Sequence, residues 1–144
     1  MPQIHLAVSD DAIRACYPVM RQLRPHLIDA DDLLTRVRRQ QACADWRLAY
    51  AEHDGKVAAC AGFRVHEWLV AGKVLYVDDL VSDEAHRSLG LGKALLDWLK
   101  ALAREEGCQQ FSLDSGTQRK RAHAFYFREG LHITAFHFDE DIGA

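Results

Sequence analysis

An α/β protein of the layered α+β kind is predicted by three features of this chain. Its 144 residues are 49% hydrophobic, enough for one domain with a sizeable core. Stretches alternating with period two give way to stretches with 3.6-residue periodicity, and back again. Cap and turn residues stand at the changeovers. The order that results is β-α-α-β-β-β-α-β-α-β, one domain over residues 1–144.

Residues 3–8 alternate, with Ile4, Leu6 and Val8 on one face, and read as the first strand. Ser9-Asp10-Asp11 supplies an N-cap and an acidic first turn for a helix running to about Leu23, which Pro25 ends. A second helix covers 29–41, with Leu33, Leu34 and Val37 as its apolar stripe. Residues 46–52 form a strand, His53-Asp54-Gly55-Lys56 a hairpin turn with the Asp-Gly signal, and 57–69 the returning strand. Ala71-Gly72 turns the chain into a strand over 73–81.

The following helix is the most regular. Leu91, Ala94, Leu95, Trp98, Leu99 and Leu102 fall at i, i+3, i+4, i+7, i+8 and i+11, and Gly107 stops it after Glu106. A short strand over 110–113 precedes a helix over 118–129, capped by Thr117 and ended by Gly130. Alternation of Leu131, Ile133 and Ala135 makes 131–138 the closing strand.

Composition narrows the function. A formal net charge of −3 argues against nucleic acid as main partner. No apolar run reaches membrane-spanning length, and Met1-Pro2-Gln3 opens no secretory signal. Cys16, Cys43, Cys60 and Cys108 are scattered without paired spacing, as in a reducing compartment, so the expected location is cytoplasmic. No histidine–carboxylate set has ligand spacing, and no metal is expected.

Between the strand over 73–81 and the regular helix stands Arg87-Ser88-Leu89-Gly90-Leu91-Gly92-Lys93. Two glycines there leave N–H groups uncovered at a helix N-terminus, with Arg87 and Lys93 beside them, a cradle suited to a diphosphate. A P-loop would need glycine at Arg87 and Ser or Thr at Ala94; a dinucleotide fingerprint would need Gly or Ala at Leu95. By itself the pattern fits either an anion site or a plain strand–helix connection.

The Arg-x-x-Gly-x-Gly pattern resembles the acetyl-CoA loop of the GNAT superfamily of N-acetyltransferases. Ala122-His123-Ala124-Phe125-Tyr126-Phe127-Arg128-Glu129-Gly130-Leu131 resembles a second segment of that family, with Leu131 for the usual Phe. The element order matches as well, so the resemblance covers nearly the whole chain. Leu75-Tyr76-Val77-Asp78-Asp79 resembles the polyamine acetyltransferases. The run from Arg119 to Tyr126 resembles the aminoalkylphosphonate acetyltransferases, although Arg119 stands where many members carry Asn.

The resemblance implies a mixed, mostly antiparallel sheet of six to seven strands with helices on both faces. It implies acetyl-CoA as co-substrate, with Leu80, Val81 and Ser82 as backbone partners of pantetheine and acetyl group. Arg87, Ser88, Leu89, Gly90, Leu91, Gly92 and Lys93 would hold the pyrophosphate. Tyr126 is the candidate general acid, since a phenol near pKa 10 stays protonated at neutral pH yet can protonate a departing thiolate; a core aromatic is the alternative.

Asp78 and Asp79 are candidates for removing the amine's proton, or else strand-end acids that bind an amine or cap backbone. Strand alternation lets at most one of them face the acetyl group, and the polyamine match favours Asp78. Tyr76, sharing a face with Asp78, would wall the pocket. Asp114 and Ser115 are candidates for substrate binding or for turn formation. Arg119 can reach a phosphate or acidic group, and His123 can meet substrate or simply lie on an exposed helix face. The connection containing Arg21, Arg24, His26, Asp29, Asp31 and Asp32 suits a zwitterion or a polyamine.

The expected activity is transfer of acetyl to a primary amine of a small molecule by direct attack in a ternary complex, as no cysteine is placed to form an acyl-enzyme. The alternatives are a protein or peptide N-acetyltransferase and a catalytically silent acyl-CoA-binding module. Expected partners are acetyl-CoA and a small amine, with a homodimer as an admissible assembly and neither nucleic acid nor membrane.

Overall fold

The computed structural model describes residues 2–143. The chain forms two compact units, one ending at Leu113 and one beginning at Asp114.

In the first unit a five-stranded sheet is ordered β1 (Ile4–Leu6), β2 (Trp46–His53), β3 (Lys56–Trp68), β4 (Gly72–Ser82) and β5 (Gln110–Leu113). Successive strands pair antiparallel except β4 and β5, which run parallel. A parallel step needs a crossover, and α4 (Leu91–Glu105) supplies it. The sheet has five strands rather than six to seven. Residues 131–138 form no strand: Ile133, Phe136 and Phe138 are exposed, so their alternation has neither a ladder partner nor a core face to bury.

Helices cover both faces. On one, Ile13, Cys16, Val19, Met20, Leu33 and Val37 pack on Trp46, Leu48 and Cys60. On the other, Leu91, Leu95, Leu99 and Ala103 of α4 pack against Ala49, Ala51, Ala59, Ala61 and Phe63. The alanines keep that face low, so α4 lies close. The buried stripe of α4 is wider than its periodicity suggested, because Leu96 is fully buried as well.

The first predicted helix divides into α1 (Asp10–Ala15) and α2 (Tyr17–Leu23) at Cys16. Pro18 lacks an N–H and crowds the preceding turn, so a continuous helix cannot pass through it. Ser9 caps α1 as expected, and Asp29 caps α3 (Ala30–Cys43). Between β4 and α4 the chain makes a 3-10 helix, Glu84–Leu89, that sequence periodicity did not reveal.

In the second unit α5 (Lys120–Arg128) begins later than predicted. Thr117 does not cap it. The amide of Arg119 instead donates to the Gly116 carbonyl at 3.0 Å, closing a turn ahead of the helix.

Candidate functional site

The site is organised by a mismatch in strand length. β4 pairs with β3 from Gly72 to Ser82, yet with β5 only from Val74 to Val77. On the β5 side, residues 78–82 therefore have no strand neighbour among the described residues. Backbone N–H and C=O groups along such an edge seek partners, and an extended ligand can add there as a strand would. Leu80, Val81 and Ser82 all lie on this open stretch.

At the start of the stretch β4 bulges. Gly62 pairs with Asp79 and the next residue, Phe63, with Val77, leaving Asp78 as the extra residue. The bulge overturns the expectation that Asp78 and Asp79 point to opposite faces, because one inserted residue resets the alternation. Both carboxylates emerge on the face covered by α1, α2 and α3. Trp46 Nε1 donates to Asp78 Oδ2 at 2.9 Å, and Arg64 Nη2 lies 3.3 Å from Asp78 Oδ1. Arg24, at the end of α2, donates through Nε to Asp79 Oδ1 at 2.7 Å and through Nη2 to the Asp78 carbonyl at 3.0 Å. Tyr76 shares this face, with the Arg64 guanidinium 5.3 Å from its ring centre.

Burial pushes the Asp79 carboxyl above the ordinary carboxylate range, against the hydrogen bond and charge of Arg24, which pull it down. A cavity of about 390 Å³ opens beside Asp79, floored by Met20, Leu33, Val37 and Trp46 and rimmed by Arg24, His26, Arg36 and Arg39. A second cavity, of about 910 Å³, lies on the other side of α2 toward the β2–β3 hairpin.

The open edge leads into the glycine loop. Asp83 receives hydrogen bonds from the Ala85 amide and Gln22 Nε2, and Gln22 Oε1 accepts from the Glu84 amide, so α2 anchors the 3-10 helix. Gly90 then takes φ +73°, a left-handed conformation that costs glycine little, and becomes the N-cap of α4 without any side-chain cap. The amides of Leu91, Gly92 and Lys93 belong to the first turn of α4, and Lys93 Nζ donates to Asp97 Oδ2 at 3.1 Å. Leu91 is buried and pins the turn, while Arg87, Ser88, Leu89 and Lys93 are exposed around it.

In the second unit Tyr126 sits on α5, half-buried, its ring 5.4 Å from that of Phe125. Burial raises its phenol pKa, against the charge of Arg119. His123 Nε2 lies 2.7 Å from the Gly116 carbonyl, a contact that staples the turn before α5. Asp114 is exposed and paired with His137 Nδ1 at 2.9 Å. Ser115 Oγ is buried without a hydrogen-bond partner among the described residues, and Arg119 is exposed just before α5.

Sequence reasoning missed Trp46, Arg64 and Gly62 as the surroundings of the two aspartates. A Cβ on Gly62 would lie 2.4 Å from the Trp46 ring and 2.8 Å from Asp79 Oδ2. Only the bulged register brings these positions together, so no local pattern signals them.

The model of the Acetyltransferase (GNAT) family matches residues 10–131. An uncharacterized N-acetyltransferase of Bacillus subtilis (strain 168) is 34% identical over 130 residues, covering 88% of this chain and 89% of its own length. An aminoalkylphosphonate N-acetyltransferase of Salmonella typhimurium is 30% identical over 95 residues, 65% of this chain and 60% of that protein. Among solved structures, an aminoglycoside N-acetyltransferase in complex with CoA superposes with a TM-score of 0.82 at 14% identity, over 98% of this chain and 95% of that one.

Proposed function

Because the chain belongs to the GNAT family of acetyltransferases, and so to the acyltransferases, we propose that it moves acetyl from acetyl-CoA to the primary amine of a small molecule by direct attack in a ternary complex. The observation that carries this reading is the five-residue run by which β4 outreaches β5, followed at once by an uncapped helix N-terminus.

These residues suit acetyl-CoA. The backbone of Leu80, Val81 and Ser82 offers an extended pantetheine arm the pairing that β5 does not. The amides of Leu91, Gly92 and Lys93, with the charges of Arg87 and Lys93, oppose a pyrophosphate. When bound, acetyl-CoA supplies an acyl group activated as a thioester.

The protein's residues then manage position and protons. A backbone N–H on the open stretch of β4 stabilises charge on the acetyl oxygen. A primary amine is almost wholly charged at neutral pH and must lose a proton before its nitrogen can attack. Asp79, which faces the 390 Å³ cavity, holds that ammonium and relays its proton through water. Asp78, fixed by Trp46 and Arg64, orients the pair. The nitrogen bonds to the acetyl carbon as the carbon–sulfur bond breaks, and the Tyr126 phenol protonates the departing sulfur. One proton is released for each ammonium acetylated.

A cavity of this volume suits a small molecule better than a peptide. We take residues 1–144 as one catalytic domain acting where acetyl-CoA and reducing conditions coexist, in the cytoplasm. No helix among the described residues is long and apolar enough to cross a membrane.

Calorimetric titration with acetyl-CoA, followed by thiol release with a panel of amines, tests the reading. Tyr126→Phe should lower kcat at least tenfold with little change in acetyl-CoA affinity. Failure to bind coenzyme A would end the proposal, and unchanged kcat in the variant would remove Tyr126 as the acid.

A further inference from the structure

The cavity beside Asp79 has two chemically different ends. Its inner end holds one carboxylate, Asp79, only 17% exposed and bonded to Arg24. Its outer rim, on α3 and the α2–α3 connection, carries Arg36, Arg39 and His26. Between the ends the wall is apolar, with Leu33, Val37 and Trp46 all buried.

Charge along the cavity is uneven. Three arginines line it against one lining carboxylate. Arg36 spends its Nε on Asp32 at 3.1 Å, which leaves its two terminal nitrogens for other acceptors. Arg39 has no ion partner among the described residues and is exposed at the rim. Even with Asp32 counted, positive charge remains in excess at the outer end.

Resting on the acetyl-transfer reading, we infer that the acceptor is an amine carrying an anionic head group, phosphonate or carboxylate, bound by Arg36 and Arg39 while its ammonium meets Asp79. Two arginine forks converge on an anion as charge-assisted donors, and a short methylene chain between the groups lies on the Leu33, Val37 and Trp46 wall. His26 stands at the same rim as a further donor. A polyamine fits this cavity badly, since its second ammonium would stand among the arginines. The two resemblances in the sequence, to polyamine and to aminoalkylphosphonate enzymes, are thereby separated by the charge of one cavity.

Four acceptors of similar length test the inference: 3-aminopropylphosphonate, γ-aminobutyrate, n-butylamine and putrescine. Either anionic amine should exceed n-butylamine in kcat/KM by roughly ten- to hundredfold, and putrescine should be poorest. The ratio between phosphonate and carboxylate identifies the preferred anion. Arg39→Gln and Arg36→Gln should each raise KM for the anionic acceptor about tenfold with kcat nearly unchanged, leaving n-butylamine unaffected. Arg39→Glu should move the preference toward putrescine.

Calorimetric binding of 3-aminopropylphosphonate to wild type and to the double Gln variant gives a readout independent of turnover. Binding that the double variant weakens, without acetylation of any amine, would keep the anion site and dismiss the transfer reading. Equal binding by wild type and double variant, or equal kcat/KM for charged and neutral acceptors, overturns the inference.

Discussion

Arg24 and Asp79 form an ion pair on the site face, Nε to Oδ1 at 2.7 Å, and the same guanidinium holds the Asp78 carbonyl at the bulge. One side chain at the end of α2 therefore both opposes the effect of burial on Asp79 and ties down the backbone distortion beside it. Burial alone favours the protonated carboxyl, and Arg24 opposes that tendency.

Replacing Arg24 with Gln leaves burial acting on Asp79 nearly unopposed, so the carboxyl holds its proton to higher pH. A base must be ionised to accept a proton, and activity should fall first on the acid side. The acid limb of the kcat/KM profile is expected to move to higher pH, with a loss of tenfold or more at pH 7. An unmoved limb would detach Asp79 from proton removal.

Gly62→Ala drives a methyl into the Trp46 ring and Asp79 Oδ2. Trp46 is 4% exposed and cannot swing aside cheaply. The expected cost is about 1–3 kcal/mol in denaturant unfolding, together with reduced activity. Wild-type stability in this variant would mean that the bulge tolerates more room than its register allows.

Gly90→Ala and Gly55→Ala make a matched pair, since both positions have φ near +75° and neither added methyl meets a neighbour within 4 Å. Each should cost about 1–2 kcal/mol through backbone strain alone. Only Gly90→Ala should also weaken acetyl-CoA binding, because Gly90 sets the first turn of α4. Equal affinities in the two variants would separate the loop from the cofactor.

Arg47 on β2 grips Glu106, the C-cap of α4, through two bonds of 2.7 and 2.8 Å. Those bonds hold the Glu106 carboxyl below its usual 4.5, with the charge of Lys73 assisting. A lowered folded pKa gives stability that is present above the ordinary carboxylate range and lost as pH falls through the folded value. Glu106→Gln should cost about 1 kcal/mol at pH 7, allowing for partial solvent screening, and nothing at pH 2. Urea midpoints at both pH values check it; a gap that persists in acid would point to packing instead of charge.

Much of the architecture was legible in the residues. Five strands, α3, α4 and the Asp54-Gly55 hairpin lie within a few residues of their expected places, because period, caps and turn glycines act locally. The turn at Gly90 was equally readable, since its left-handed conformation at the head of α4 depends on a few adjacent positions. Pro18 was a visible signal whose effect on the first helix the apolar pattern concealed. Residues 131–138 show the opposite case, an alternation that tertiary context never turned into a strand.

What the chain decided unaided was the sequence of its elements and the glycine turn at the head of α4, both products of interactions spanning a turn or less. What only the folded sheet decided was the company of Asp78 and Asp79. An inserted residue in β4 acquires meaning only against β3, and Trp46, Arg64 and Arg24 reach the two carboxylates from 32, 14 and 55 positions away. Register between strands is a long-range choice, made by the packing of whole faces, and no window of neighbouring residues contains it.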